Sequence, residues 1–370
     1  MTIGNLREAQ IDLYAIRENV ASLKASAEVE NFMAVVKANG YGHGAVESAR
    51  AALEGGANWL GVVDGIEAIQ LRKAGIQAPI LTWLHSPSDD FAIQAEFNVD
   101  VGVSSIDELE RAAIAKVGFV QIKVDTGLSR NGVAEQDWDL VFARAAELRS
   151  AGGPEIRAIF SHLANAGVEA DSEQLIAFER AVATASAQGI EPEYLHLAST
   201  AATIGFPAAR LNMVRVGLGC FGLSPFAGVG SAELGLIPAM TLRSQIVSVR
   251  KVVAGTGVSY GHRYRTSSET QLALVPLGYA DGIPRCASNR ASVWIDGKRF
   301  KVSGTIAMDQ FVIDIGQHPV AAGDEVVMFG DPKTGYPSAD DWAEASDSIN
   351  YEIVARLGSR VSRTFTESRS

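Results

Sequence analysis

Residues 99–124 read VDVGVSSIDELERAAIAKVGFVQIKV. Val99 to Val103 is a short apolar run, Ile106 to Lys116 sets apolar residues at helical spacing among acids and bases, and Val120 to Val124 is apolar again. The pattern predicts strand, helix, strand. Strands joined through a helix lie parallel, so the unit is a βαβ crossover. Outward from this stretch the theme repeats, with apolar runs at Phe32 to Val36, Trp59 to Val63, Ile80 to Leu84, Ile156 to Phe160, Tyr194 to Leu197 and Met213 to Val216. Trp138 to Ser150 and Ser172 to Ala187 are further amphipathic segments between them. Eight alternating units predict an α/β fold built on a closed (β/α)8 TIM barrel rather than an open doubly wound sheet. No GxGxxG follows the first run, which weakens a dinucleotide-binding alternative.

The texture changes after about Ser231. Runs at Met240 to Val253, Gln271 to Pro276, Ala291 to Ile295, Phe311 to Ile315 and Glu325 to Phe329 are joined by short turns, and Asp296-Gly297 between two apolar-bearing runs is a strong hairpin signal. Two domains are expected: a barrel over 1–230, whose first ten or so residues pack with the second part, and a mainly antiparallel β domain over 231–370. A length of 370 residues suits two cores.

Composition narrows the function classes. Lys and Arg total 32 against 43 Asp and Glu, a net charge of -11 that supplies no general attraction for nucleic acid or anionic lipid. Cys220 and Cys286 lack CxxC spacing and the six histidines form no ligand motif, so neither a disulfide framework nor a metal site is expected. The first twenty residues carry Arg7, Glu8, Asp12, Arg17 and Glu18 instead of an apolar core segment, and Leu211 to Gly230 is broken by Asn212, Arg215 and Ser224-Pro225. A cytoplasmic protein without membrane spans is the expectation.

Barrel enzymes place their chemistry at the carboxyl ends of the strands, and that rule alone selects residues. Lys37 follows the first run, with Tyr41 and His43 set between glycines; Asp125 to Arg130 follow the fifth, His162 the sixth, Ser199 and Thr200 the seventh, and Arg215 and Gly217 stand at the eighth. A lysine abutting an apolar run is open to desolvation, which lowers an ammonium pKa and suits a Schiff base. A rim lysine reaching into solvent fits the position alone equally well.

These blocks resemble the alanine racemase family. VVKANGYGHG (35–44), KVDTGLSRNG (123–132), FSHLA (160–164), RVGLGCFG (215–222), VSYG (258–261), LGYADGIPR (277–285) and AMDQ (307–310) are similar to its motifs in the same order. The resemblance implies a homodimer that shares its active sites, uses pyridoxal 5'-phosphate, and interconverts L- and D-alanine for peptidoglycan by two bases. It makes Lys37 the cofactor's covalent anchor and one base, and Tyr260 of the other subunit the opposite base. Tyr41, Thr200 and the backbone of Gly217 and Leu218 would contact the phosphate, and Arg215 the ring nitrogen. Arg130 would face the cofactor's phenolic oxygen and the substrate carboxylate, which Met308 would meet through its backbone amide. His162 would link Tyr260 to Arg215, the two forming a cationic neighbourhood that favours a phenolate. Tyr279 would form the entrance beside Asp309, and Lys123 matches a lysine that the family can carbamylate.

Without the resemblance, Tyr260 reads as a packed aromatic, Met308 as core, His196 as a satisfied core histidine, and Asp281 and Asp309 as capping or orienting groups. The chain departs from the family at Ser199 and Thr200, at Cys220-Phe221-Gly222, at Ala307, and at Ser359, read as the place of a phosphate-contacting tyrosine. The alternatives are a broad-specificity or serine racemase of the same family and a cofactor- or inhibitor-binding protein with little turnover.

Overall fold

Ser105 shows how the alternation is realised: its hydroxyl accepts from Glu108 N at 3.1 Å while Glu108 Oε2 accepts from Ser104 N at 2.6 Å, starting helix Ile106–Ile114 directly after a strand. The computed structural model describes residues 6–367. After strand β1 (Arg7–Asp12) come β2 (Asn31–Val35), β3 (Trp59–Val62), β4 (Ile80–Thr82), β5 (Asp100–Val103), β6 (Phe119–Lys123), β7 (Glu155–Phe160), β8 (Tyr194–His196) and β9 (Met213–Val216). Strands β2 to β9 pair in parallel and in chain order, and β9 closes on β2 as an eight-stranded barrel. All eight expected runs are barrel strands. The eighth is followed by a 3-10 turn, Leu218–Phe221, rather than a crossover helix. Helix Leu13–Ala27, which precedes the barrel, packs against Ala45–Glu54 and Thr200–Gly205 and takes that place in the outer ring.

The second part holds β10 (Met240–Gln245), β11 (Ser248–Val252), β12 (Gly257–Val258), β13 (Tyr264–Arg265), β14 (Thr270–Val275), β15 (Ser292–Ile295), β16 (Lys298–Lys301), β17 (Phe311–Gly316), β18 (Glu325–Phe329) and β19 (Ser362–Thr366). A six-stranded sheet runs β16-β15-β18-β10-β1-β19, a second runs β11-β14-β17, and β12 pairs with β13. The pairing is antiparallel except between β1 and β19. The Asp296-Gly297 hairpin forms, with Ile295 opposite Lys298 and φ of 41° and 81° at the two turn residues. The run Met240 to Val253, expected as one strand, is two. Ile246 N donates to Asp324 O, beside one sheet, and Val247 N to Leu274 O, in the other, so the chain changes sheets there. Apolar content alone does not mark such a crossing.

Met33, Trp59, Leu81, Phe160 and Met213 form a separate apolar cluster of barrel residues, beside which Gln121 and His196 are fully buried. His196 stacks on Phe160 with ring centroids 4.9 Å apart. Outside the barrel, His43 stacks on Phe221 at 4.4 Å, and its Nδ1 lies 3.0 Å from both Gly40 O and Tyr41 O. Both carbonyls can only accept, so Nδ1 carries the proton. Burial lowers the pKa of His43 to about 4 and drives His196 well below its usual value.

These shifts predict acid sensitivity. The unfolded chain protonates its histidines near pH ~6.5 while the folded chain keeps these neutral, so the unfolded state binds more protons below that pH. Each such histidine removes ~1.4 kcal/mol of stability per pH unit on descent until its folded pKa is reached. Asp100, raised to about 6 mainly by burial, works in the opposite sense and offsets one of them. Unfolding free energies from urea titrations are therefore expected to be lower at pH 5 than at pH 7.5, and equal values would contradict the neutral, buried histidines.

Candidate active site

The strand ends converge on a cleft of about 280 Å³. Its lining includes Lys37 and Tyr41 after β2, Trp83 after β4, Lys123 at the end of β6, Arg130 beyond it, His162 after β7, Ser199 and Thr200 after β8, and Arg215, Gly217 and Leu218 at β9. Tyr351 reaches it from helix Asn350–Ala355 in the second part of the chain. Lys37, Lys123, Arg130 and Arg215 put four cationic side chains in the wall, and among the described residues no Asp or Glu lines it.

Lys37 owes its place to an unusual turn. Ala38, Asn39, Gly40 and Tyr41 all have positive φ, between 52° and 62°. Left-handed backbone is unfavourable by roughly 1–2 kcal/mol for each residue with a Cβ, so the surroundings must hold it. Glu67 Oε1 accepts from Ala38 N at 2.7 Å, Asn39 Oδ1 from Ala45 N at 3.0 Å, and Val36 O from Gly40 N at 2.8 Å. The glycines at 40, 42 and 44 signal an irregular loop in the sequence; the left-handed Ala and Asn do not show there.

Electrostatics follow from this geometry. Burial lowers the pKa of Lys37, reinforced by Arg130 and Arg215 and opposed by Glu67. Lys123 falls to about 8 for similar reasons, burial first and then Arg215 and Arg130. Lys37 Nζ lies 5.8 Å from the centroid of the Trp83 ring. Arg215 is the most firmly held member: NH1 donates to His196 Nδ1 at 3.0 Å and His196 O at 2.9 Å, and NH2 to Ser161 O at 2.7 Å and His162 Nδ1 at 3.2 Å. Burial lowers its pKa to about 10, which leaves it protonated at neutral pH.

An arginine only donates, so His162 Nδ1 must be an unprotonated acceptor and Nε2 carries the hydrogen. Burial and then Arg215 push His162 down to about 3. The expected cationic contribution of His162 is thereby corrected: beside Arg215 it is a neutral donor.

The wall of the cleft between Tyr41 and Thr200 is built around glycine. A Cβ on Gly217 would meet the Tyr41 hydroxyl oxygen at 2.2 Å, so only glycine lets the two approach. Thr200 Oγ1 accepts from Gly217 N at 3.2 Å and from Gly219 N at 3.4 Å. Tyr41 and Tyr351 ring centroids are 6.3 Å apart. The tyrosine of the C-terminal region that reaches the cleft is therefore Tyr351, eight positions before Ser359, and the departure read at Ser359 is corrected. A lone tyrosine in a short helix gave no periodic signal to find it. Trp83 and Asn165 also line the cleft and were not singled out from the sequence. His196, read as a satisfied core residue, is satisfied partly by Arg215 itself.

Three expected residues are elsewhere. Tyr260, Tyr279 and Met308 are exposed, at 73%, 41% and 53%, and none lines the Lys37 cleft within the chain. They neighbour one another: Thr305 Oγ1 donates to Tyr260 O, Tyr279 N to Ala307 O and Ala280 N to Met308 O. Asp281 is buried, accepts from Gly278 N at 2.9 Å and lies against Arg7 and Arg360, whose NH1 also donates to Asp309 at 2.6 Å. These contacts orient the segment behind Tyr279 and Met308.

Among the described residues no helix is long and apolar enough to cross a membrane, and no group of His, Cys, Asp or Glu could hold a metal ion. Two family models match, alanine racemase N-terminal domain over residues 11–225 and alanine racemase C-terminal domain over 239–365. The alanine racemase of Thermobifida fusca (strain YX) is 46% identical over 98% of this chain and 99% of its own length. That of Frankia casuarinae is 48% identical over 96% and 95%. The crystal structure of alanine racemase from D-cycloserine producing Streptomyces lavendulae superposes with a TM-score of 0.97 at 44% identity, covering 100% of this chain and 99% of the other. With both halves of the chain matched and its relatives covered nearly end to end, the chain belongs to the alanine racemase family.

Proposed function

We propose that this chain is a pyridoxal 5'-phosphate-dependent isomerase that interconverts L- and D-alanine in the cytoplasm and supplies D-alanine for peptidoglycan. The observation that carries the reading is the donor set of one cleft: the desolvated Lys37 amine, three further cationic side chains with no carboxylate among the described residues, and a glycine cradle beside Thr200. That set fits a phosphorylated, anionic aldehyde. Lys37 would anchor the group covalently. Tyr41, Thr200 and the backbone of Gly217 and Leu218 would hold its phosphate, Arg215 its ring nitrogen and Arg130 its phenolic oxygen. When bound, the group supplies an electron sink that acidifies the α-hydrogen of an amino acid.

The remaining chemistry belongs to the chain. Inversion requires a proton to leave one face of the α-carbon and another to arrive at the opposite face, so two bases must flank it. Lys37 Nζ is the first, its lowered pKa favouring the neutral amine that accepts a proton. Tyr260 of the partner subunit is proposed as the second, which accounts for its exposure within one chain. His162 Nε2–H would serve that tyrosine as a neutral donor to its phenolic oxygen. Arg215 spends its four terminal N–H groups on protein acceptors, and its Nε–H, which donates to no acceptor among the described residues, would face the ring nitrogen. A permanent cation at the ring nitrogen keeps that nitrogen from taking a proton, moderating the sink. Met308 N, which donates to no acceptor among the described residues, and Arg130 would take the substrate carboxylate.

Three measurements test the reading. In a panel of amino acids, α-proton exchange and inversion are expected to be fastest with alanine and to vanish with Lys37→Ala; comparable rates with serine would favour the broader racemase, and binding without inversion a carrier. Gly217→Ala pushes on Tyr41 and is expected to weaken cofactor binding at least ~10-fold, about 1.4 kcal/mol, in an absorbance titration of a variant with native circular dichroism. Lys37→Ala and Tyr260→Phe homodimers should each be nearly inactive, yet mixed subunits should regain activity, because one of two symmetric sites then receives both bases. Heterodimers confirmed by differential tags that stay inactive would contradict supply of the two bases by different subunits.

A further inference from the structure

One line of polar side chains crosses the otherwise apolar barrel interior. Arg215 NH1 donates to His196 Nδ1 at 3.0 Å, and His196 Nε2 lies 2.8 Å from Gln121 Oε1. Gln121 Nε2 is 2.9 Å from Asp100 Oδ2, and Arg157 NH1 is 3.0 Å from Asp100 Oδ1. Gln121 and His196 are fully buried, and Asp100 is 3% exposed. Asp100 opens β5, at the end of the barrel opposite the cleft, while Arg215 stands at the rim.

Each link fixes the next. A carboxylate only accepts, so Asp100 turns the NH2 of Gln121 toward itself and the amide oxygen toward His196. That oxygen requires a proton on His196 Nε2. Nδ1 is then a lone pair, the one state that can accept from Arg215. The opposite amide orientation would set two acceptors against each other at Asp100 and, with the proton driven to His196 Nδ1, two donors against each other at Arg215. A buried line of linked hydrogen bonds of this kind is polarised along its length and holds its orientation strongly.

We infer that Gln121 and Asp100, with Arg157 as counter-ion, are positioning residues that set the tautomer of His196 and so hold the Arg215 guanidinium in register with the cleft. Neither touches the cleft; their action on the reaction rests on the proposed role of Arg215 there.

Asp100→Asn tests this with almost no change of shape. Arg157 demands an oxygen, so the new amide turns its NH2 to Gln121, which reverses and presents its own NH2 to His196. The proton moves to Nδ1, donor against donor with Arg215. Adding Arg157→Leu frees the amide oxygen to face Gln121 and restores the native direction. The expected results in 15N-histidine-labelled holoenzyme are Nε2–H at His196 in the native protein, Nδ1–H in Asp100→Asn, and Nε2–H again in the double variant. Racemisation kcat is expected to fall roughly 10- to 100-fold in Asp100→Asn, the scale of a small misplacement in a reacting site, with KM little changed, and to recover in the double variant. If Asp100→Asn does not fold, Gln121→Met breaks the same line: Arg215 alone then keeps His196 as Nε2–H, but that hydrogen loses its acceptor, and a loosened ring with broadened 15N signals and a similar loss of kcat is expected. An unchanged tautomer and kcat in a folded single variant, or a double variant no better than Asp100→Asn, would overturn the inference. A native holoenzyme that shows the Nε2–H tautomer but inverts no amino acid would instead remove the functional reading, leaving the tautomer series as the judge of the relay.

Discussion

Repulsion among like charges is the constraint around which this molecule is arranged. Lys37, Lys123, Arg130 and Arg215 share a wall of a cleft of about 280 Å³ from which carboxylates are absent among the described residues. Such a cluster is tolerated through neutral acceptors: Arg215 alone is held by the carbonyls of Ser161 and His196 and by two imidazole nitrogens. The barrel makes that possible, since the final residues of β8 and β9 and the turn after β7 bring their carbonyls and side chains to one rim. The field left over would favour an anion in the cleft, and with burial it makes the two lysines lose their protons more easily than exposed lysines do. Binding an anionic group there relieves the repulsion, so the site and its ligand stabilise one another.

Much of this was legible from residues alone. The eight barrel strands announced themselves because each is short, mainly apolar and bounded by glycine or polar turns, and the rim rule then pointed to Lys37, Arg130, His162, Thr200, Arg215 and Gly217, which line one cleft together with Lys123, a residue marked by the family resemblance. What stayed hidden depends on three dimensions. Tyr351 enters from a helix more than a hundred residues beyond the last barrel strand, with nothing periodic to mark it. The crossing at Ile246-Val247 lies inside a run without glycine or proline, whose mixed polar and apolar residues suit either sheet. His196 could be read as buried but not as a partner of Arg215, because strand register, not spacing, sets which interior residues meet. The charge state of His162 was hidden for the same reason: only the geometry of Arg215 shows which ring nitrogen has a lone pair.

The left-handed turn at Ala38–Tyr41 illustrates how a strained segment is kept by many modest contacts. Glu67, in the first turn of helix Gly65–Lys73, accepts from both Ala38 N and Val63 N and so clamps the turn to the neighbouring strand. In doing so it places the nearest negative charge behind Lys37 rather than in the cleft, countering the loss of basicity without neutralising the wall. Strain and electrostatics are thus settled by one carboxylate.

Strand β1 carries a consequence for synthesis. It leaves the ribosome long before its two neighbours in the sheet, Met240–Gln245 and Ser362–Thr366. At ~5–20 residues per second, tens of seconds separate the emergence of this strand from that of its last partner. The barrel can close in the interval, but the six-stranded sheet cannot, and β1 waits with both edges open. Its composition suits the wait: Arg7, Glu8, Gln10 and Asp12 alternate with Ala9 and Ile11, so a charge or amide recurs at every second residue and discourages pairing with a stranger. The nascent chain therefore carries its own guard against aggregation in the segment that must stay unpaired longest.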